Sequence, residues 1–274
     1  MCIRDSSGSS GNSLFIENNN AKILIDAGES AKKIVEALTS IQVDVKDIDA
    51  ILVTHEHKDH VKGLGTLSQK YNIPVYATQE TWDAMPDQST KVSDSNKNNF
   101  IPYEDFSIKD LVISPFKIPH DAANPCGYNI SFKKEKISIA TDLGHITEDI
   151  FHRLEKSSFV LLESNYEPKM LDVSSYPYVL KQRIKGPKGH LSNQMAGKTI
   201  SSLINTGLKT VMLGHLSKEN NFPELAYKTV VEELISNNFD ENSIKLGVAS
   251  RHKPGPVIEI ASSVSYTHLT LPTN

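Results

Sequence analysis

Four residues within six positions, His55, His57, Asp59 and His60, stand in "THEHKDH" directly after the apolar run "AILV". Side chains two apart in extended or loop backbone can reach one ion from the same side. The Asp59–His60 pair just beyond can serve a second ion. Neutral imidazoles with one carboxylate suit Zn²⁺, Mn²⁺ or Fe²⁺, whereas Ca²⁺ and Mg²⁺ prefer oxygen shells. The spacing H-x-H-x-D-H therefore predicts a metal-binding loop at a strand end.

Four donors cannot complete two coordination shells. Three further metal-competent residues close apolar runs elsewhere: His120 after "KIP", Asp142 after "SIAT" and His215 after "VMLG". Ligands of open α/β sheets gather beyond strand ends, so this shared address predicts convergence with the first cluster. Asp142 is the natural bridge, because one carboxylate can span two ions and an imidazole cannot.

The elements that must position these residues alternate along the chain. "LFIE" and "AKILIDAG" (21–28) read as paired strands with "NNN" (18–20) as their turn, and "AILVTH" (50–55) as a short buried strand. "SAKKIVEALTSI" (30–41) carries apolar residues at helical spacing, and "DHVKGLGTLSQKY" reads as helical before the strand "IPVYAT" (73–78). The polar stretch from about 84 to 110 reads as a surface excursion. Strands follow at 111–119, 126–133 and 136–142, then a helix (146–156), a strand (159–165) and a helix in "YVLKQRI". Helix 192–205, strand 210–215 and helix 225–237 come next, with "SIKLGVAS" and "PVIEI" as closing strands. This order predicts an α/β fold, read as one domain over residues 7–261. "MCIRDS" at the start and "VSYTHLTLPTN" at the finish resemble translated sequencing-adapter read-through. Residues 1–6 and 264–274 are therefore set aside as non-native flanks, and His268 is not counted as a ligand.

With 274 residues, 38% hydrophobic and 23% charged, the chain has the composition of an ordinary globular protein with a real core. A net charge of −4 argues against coating nucleic acid through bulk positive charge. Two cysteines, Cys2 and Cys126, imply no disulfide framework and fit a cytoplasmic location. Nothing approaches the roughly 20 apolar residues of a membrane helix, so no membrane partner is expected.

The segments "SGSSGN", "THEHKDHVKGLG", "PHDA", "TDLG", "ESN", "GHLSN" and "LGHLSKENN", in that order, resemble the metallo-β-lactamase superfamily, and within it the YycJ/WalJ (VicX) subgroup. The similarity runs through residues 7–261. It implies an αββα sandwich and a dinuclear centre holding two divalent ions, Zn or Mn. His55, His57 and His120 would serve one ion, Asp59, His60 and His215 the other, with Asp142 between. Two departures stand out. The family's first strand should precede Ser7, where "MCIRDS" stands instead, so a missing edge strand is expected. Members also commonly carry His after "ESN", whereas this chain has Tyr166.

A water bridging two divalent ions ionises near neutral pH and becomes a hydroxide nucleophile, with Asp59 able to orient it. The reaction class is hydrolysis of an ester, amide or phosphodiester. "KQRIKGPKGHLSN" concentrates Lys181, Arg183, Lys185 and Lys188 before His190, with Ser192 and Asn193 near a helix cap. Such a segment suits phosphate, although a solvated basic face has the same composition. Lys185, Lys188 and Asn12 are the candidate substrate contacts. The loop Ser9, Ser10, Gly11 and Asn12 could offer backbone N–H groups or simply make a tight turn. By resemblance to the related tRNase Z enzymes, Glu163 and His190 are assigned as the proton-donating pair, alongside Asp59 as catalytic residues. His145, His152 and His252 read as surface residues, and Cys126 as a small buried hydrophobe. Tyr176 and Tyr178 could stack on bases or pack their loop.

The subgroup is associated with 5′→3′ exonuclease activity, so the resemblance implies a phosphodiesterase or nuclease acting on nucleic acid, DNA first. A tRNase Z-like endoribonuclease is the nearest alternative, but the Gly-rich basic insertion those enzymes carry is not found. A small-molecule hydrolase, lactamase or thioesterase, is the other. The export signal and cysteine ligand of many lactamases are missing, and the helical substrate domain of glyoxalase-II-type thioesterases is not expected in the length given. A binding scaffold that has lost its chemistry is disfavoured, because every expected donor is present.

Overall fold

The structure, a computed structural model, describes residues 2–6 (backbone only), 11–240, 242–249 and 258–260. Ser9, Ser10, His252, His268 and the flank 264–274 lie outside the described residues.

Short β-branched and leucine-rich runs build two sheets. The first contains β1 (Cys2–Ser6), β2 (Ser13–Glu17), β3 (Lys22–Ile25), β4 (Ala50–Leu52), β5 (Val75–Ala77), β6 (Lys97–Asn99) and β14 (Ile258–Glu259), in the order β14-β1-β2-β3-β4-β5-β6. The second contains β7 (Phe106–Ile108), β8 (Leu111–Lys117), β9 (Cys126–Phe132), β10 (Glu135–Ala140), β11 (Phe159–Glu163), β12 (Thr210–Gly214) and β13 (Lys245–Val248), in the order β13-β12-β11-β10-β9-β8-β7. Both sheets are mixed: β3 through β6 and β10 through β13 run parallel, and the remaining pairs antiparallel.

Alternation along each strand sorts side chains between layers. Ile16, Ile23, Ile25 and Leu52 from the first sheet meet Ile113, Tyr128, Ile139 and Leu161 from the second in one buried layer between the sheets. Their sequence neighbours point outward: Phe15, Leu24, Ile51 and Val75 pack under α1 (Ala31–Thr39), α3 (Leu64–Tyr71) and α4 (Gln79–Ala84). On the other side Val160, Leu162, Val211 and Leu213 pack under α6 (Glu148–Leu154), α9 (Asn193–Ile204) and α10 (Pro223–Ser236). Runs buried at every position, such as "FVLLE" of β11, apolar up to its closing Glu163, are what a strand covered on both faces requires. The expected αββα sandwich is the observed one. Short helices α2 (Lys58–Val61), α5 (Pro86–Ser89), α7 (Pro168–Val173) and α8 (Tyr178–Lys185) fill the connections.

Two expectations are corrected. The edge strand expected to be missing is present: residues 2–6 form β1, which pairs antiparallel with β2 from Cys2 opposite Glu17 to Ser6 opposite Ser13. The stretch 84–110, read as an excursion, supplies β6 and β7, each at an edge of its sheet. β6 is "KNN", a polar edge strand whose composition hides its pairing with β5.

Candidate metal centre

The site stands where strands run out. Asp26 follows β3, His55 lies beyond β4, His120 beyond β8, Asp142 beyond β10, Glu163 ends β11 and His215 follows β12. His57 precedes α2, whose first turn carries Asp59 and His60. Asp26, Asp142 and His215 have φ of 62°, 59° and 55°. That left-handed backbone costs a non-glycine residue on the order of 1–2 kcal/mol. For Asp26 it is over-determined: Oδ1 accepts from the Thr54 N–H at 2.8 Å and Oδ2 from Thr54 Oγ1 at 2.7 Å.

Backbone hydrogen bonds lock the three loops together. The Asn12 N–H donates to Asp59 O, the Gly28 N–H to Asn12 O and the Ala27 N–H to His60 O, each at 2.8 Å. A Cβ on Gly28 would lie 1.6 Å from Asp59 O, so this crossing admits no side chain. From the second sheet, Tyr128 Oη donates to Val53 O at 2.5 Å and the Cys126 N–H to Thr54 O at 3.0 Å. The chain entering the His55 loop is therefore held by both sheets.

Ligand atoms of His55, His57 and His120 all lie within 4.8 Å of one another, as do those of Asp59, His60 and His215. Asp142 joins His55 and His60 in a third such group, and joins Glu163, His190 and His215 in a fourth. The donors fit divalent cations by their unmet needs. His55 Nε2 and His215 Nε2 are buried without a hydrogen-bond partner among the described residues, which without a cation would cost each roughly 1–3 kcal/mol. His57 Nδ1 and His120 Nε2 face each other at 3.4 Å. On the far side of the rings, acceptors fix the other nitrogen: Asp26 Oδ2 at 2.8 Å from His60 Nδ1, Glu163 Oε1 at 2.8 Å from His215 Nδ1, and Gly189 O at 3.3 Å from His120 Nδ1. Such outer partners set the tautomer and aim the second nitrogen at an ion.

Electrostatics divide the histidines. Burial, with the charge of His60, holds His55 well below the usual imidazole range, and burial also lowers His120. Burial opposes a proton on His60 as well, but the Asp142 and Asp26 carboxylates outweigh it and push His60 up to about 10. Asp142 is held well below the ordinary carboxylate range, because His215 and His60 outweigh its burial. Protons thus stand in for cations between Asp142 and its neighbours.

Glu163 is fully buried, and its Oε1 lies 2.7 Å from His190 Nδ1. Its Oε2 accepts from the Leu143 and Leu191 N–H groups at 2.9 and 3.1 Å. Burial works against both charges, but the pairing wins: Glu163 is lowered and His190 raised. The three expected substrate contacts are scattered. Asn12 is buried, with Nδ2 2.9 Å from His60 Nε2, so it faces the metal donors. Lys185 pairs with Asp172, and Lys188 is exposed.

Asp26 and Thr54 escaped the sequence reading. The signal was available: Asp26 closes "ILID" at a strand end, the same address as the other donors. Asn165, whose Nδ2 donates to His215 O at 2.8 Å, was equally hidden, because nothing marks an asparagine that serves a neighbour's backbone.

The family described as "Beta-lactamase superfamily domain" matches residues 21–215. The chain is 39% identical over 230 residues to exodeoxyribonuclease WalJ of Streptococcus pneumoniae serotype 2 (strain D39 / NCTC 7466), covering 83% of this chain and 86% of that protein. It is 34% identical over 233 residues to exodeoxyribonuclease YycJ of Bacillus anthracis, covering 85% and 88%. Among solved structures, the metallo-beta-lactamase fold protein YhfI from Bacillus subtilis superposes with a TM-score of 0.69 at 17% identity, covering 94% of this chain and all of that one.

Proposed function

Because this chain belongs to the beta-lactamase superfamily and groups there with WalJ and YycJ, we propose that it is a cytoplasmic metal-dependent exodeoxyribonuclease. The observation that carries this reading is the 39% identity, spread over 83% of the chain, to a protein named for that activity. No described helix is long and apolar enough to cross a membrane.

In this reading His55, His57 and His120 hold one divalent ion, Asp59, His60 and His215 a second, and Asp142 stands between them. Zn²⁺ and Mn²⁺ both suit the donor set. When bound, the ions supply Lewis acidity toward a phosphoryl oxygen and an acidified water for attack. The chain's own residues do the rest. Asp59 orients the attacking water. His190, kept protonated by Glu163, gives its Nε2 proton to the oxygen that leaves as the P–O bond breaks, since its Nδ1 is committed to the carboxylate. Lys188, exposed on the loop before His190, draws the phosphate backbone in.

The test is incubation with end-labelled DNA under Mn²⁺ or Zn²⁺, with EDTA and Asp142→Ala controls. Mononucleotides released from one end only with metal, and lost in the variant, are expected. No release by the native chain, or equal release by the variant, rejects the reading.

A further inference from the structure

The segment made by α7 and α8 buries little of itself. Leu171 is the buried residue of α7, and α8 buries none. Val173, Tyr178 and Val179 are 87%, 75% and 79% exposed, whereas the apolar residues of a surface helix ordinarily face a core. Two cations of α8 are already engaged. Lys181 Nζ donates to Asp172 O and Ser174 O at 2.8 and 2.7 Å, and Lys185 pairs with Asp172. Those bonds fix the arm's own shape. Arg183 does something different: its Nε donates to Asp121 Oδ2 at 2.5 Å, which ties the arm to the residue following His120. At its end the His190 N–H donates to Ile184 O at 2.9 Å. The arm is thus anchored beside the site at its C-terminal end and presents bare apolar surface at its start.

We infer that Tyr178, with Val173 and Val179 on the same arm, is a stacking platform for the bases of an unpaired DNA strand whose end lies in the metal centre. This rests on the nuclease reading and deepens it. A phenol ring 75% exposed offers what every base can use, a planar apolar face. Lys188 and the guanidinium of Arg183, which among the described residues donates only through Nε, lie between that ring and His190 along the chain, and complement the strand's phosphates. The reach is short. Eight residues of α8 span about 10 Å at 1.5 Å per residue, roughly three nucleotide steps at about 3.4 Å each.

Tyr178→Ala and Tyr178→Phe, compared on oligonucleotides of graded length and on a p-nitrophenyl ester of thymidine monophosphate, test this. Stacking predicts that Ala raises KM about tenfold more on strands of six nucleotides than on the ester, and that Phe restores the native value. Binding of a 2-aminopurine-labelled strand, read as fluorescence quenching in EDTA, needs no cleavage; quenching should be lost in Ala and kept in Phe. Equal effects on long and short substrates, or unchanged quenching, overturn the inference while leaving the nuclease reading intact. Native protein that hydrolyses neither DNA nor ester sinks the nuclease reading, and the inference with it. A dimer that Tyr178→Ala converts to a monomer on a sizing column also overturns the inference, by giving the patch to a second copy.

Discussion

Asp26 Oδ2 lies 2.8 Å from His60 Nδ1, and both side chains are buried. The carboxylate sets which nitrogen of His60 carries its proton and turns the other toward Asp142, whose Oδ2 is 3.2 Å away. Removing it frees the ring without removing a donor. Asp26→Asn should weaken metal binding about 10- to 100-fold, measured by chelator competition. Native affinity in this variant would remove Asp26 from the centre's support.

In the proposed mechanism Glu163 and His190, 2.7 Å apart, act as a unit, so Glu163→Gln should resemble His190→Ala in rate. A drop in kcat of the order of 10²–10⁴ is expected for loss of a general acid. The sign of the pH effect follows from the pairing. Glu163 raises the His190 pKa, and activity needing His190 protonated falls as pH rises through that pKa. Removing the carboxylate charge must move this basic limb to lower pH. A pH–kcat profile of Glu163→Gln with an unmoved basic limb would exclude His190 as the acid.

The metal-free protein should lose stability as pH rises. His60 has a folded pKa of about 10 against 6.5 unfolded, so its contribution is complete below pH 6.5 and disappears as pH passes through about 10. His215 and His190 are raised too, and act in the same direction. His55 and His120, being lowered, act in the opposite direction near pH 6.5 and are neutral in both states well above it. The share of His60 alone is roughly 3 kcal/mol between pH 6.5 and 9. Thermal melts in EDTA should fall across that range, and melts with bound metal should fall far less, because cations then replace the protons. A flat EDTA series contradicts the protonated cluster.

Gly28→Ala places a methyl group 1.6 Å from Asp59 O. The loops bearing Asn12, Asp59 and His60 must then part, breaking backbone bonds as well as packing, and a loss of about 3 kcal/mol or more is expected. Urea unfolding with metal and with EDTA separates the two contributions. The loss should be larger with metal, since the displaced loop carries Asp59 and His60.

The layered fold was legible because β4, β11 and β12 carry unbroken apolar runs, at 50–52, 159–162 and 211–213, and their helices carry a single apolar stripe. The donors were legible because chemistry confines histidine clusters at strand ends to few purposes. What stayed hidden follows from the same physics. β6 is polar because it lies at an edge, and so it reads as loop. Asp26 makes its contribution through His60, and a residue that touches only a donor has no spacing rule of its own. Lys185 stands in a basic run that suggests a substrate contact, and only the folded arm brings Asp172 to it. Tyr178 gave two readings in sequence, packing or stacking, and its 75% exposure removes the first.

The donors are drawn from both halves of the sandwich, His55 to His60 from the first sheet and His120, Asp142 and His215 from the second. Synthesis must therefore pass residue 215 before the last imidazole can reach its partners. On the metal-dependent reading proposed above, cation capture follows the meeting of the two sheets, and a cell short of the ion would accumulate finished chains lacking only their stitch.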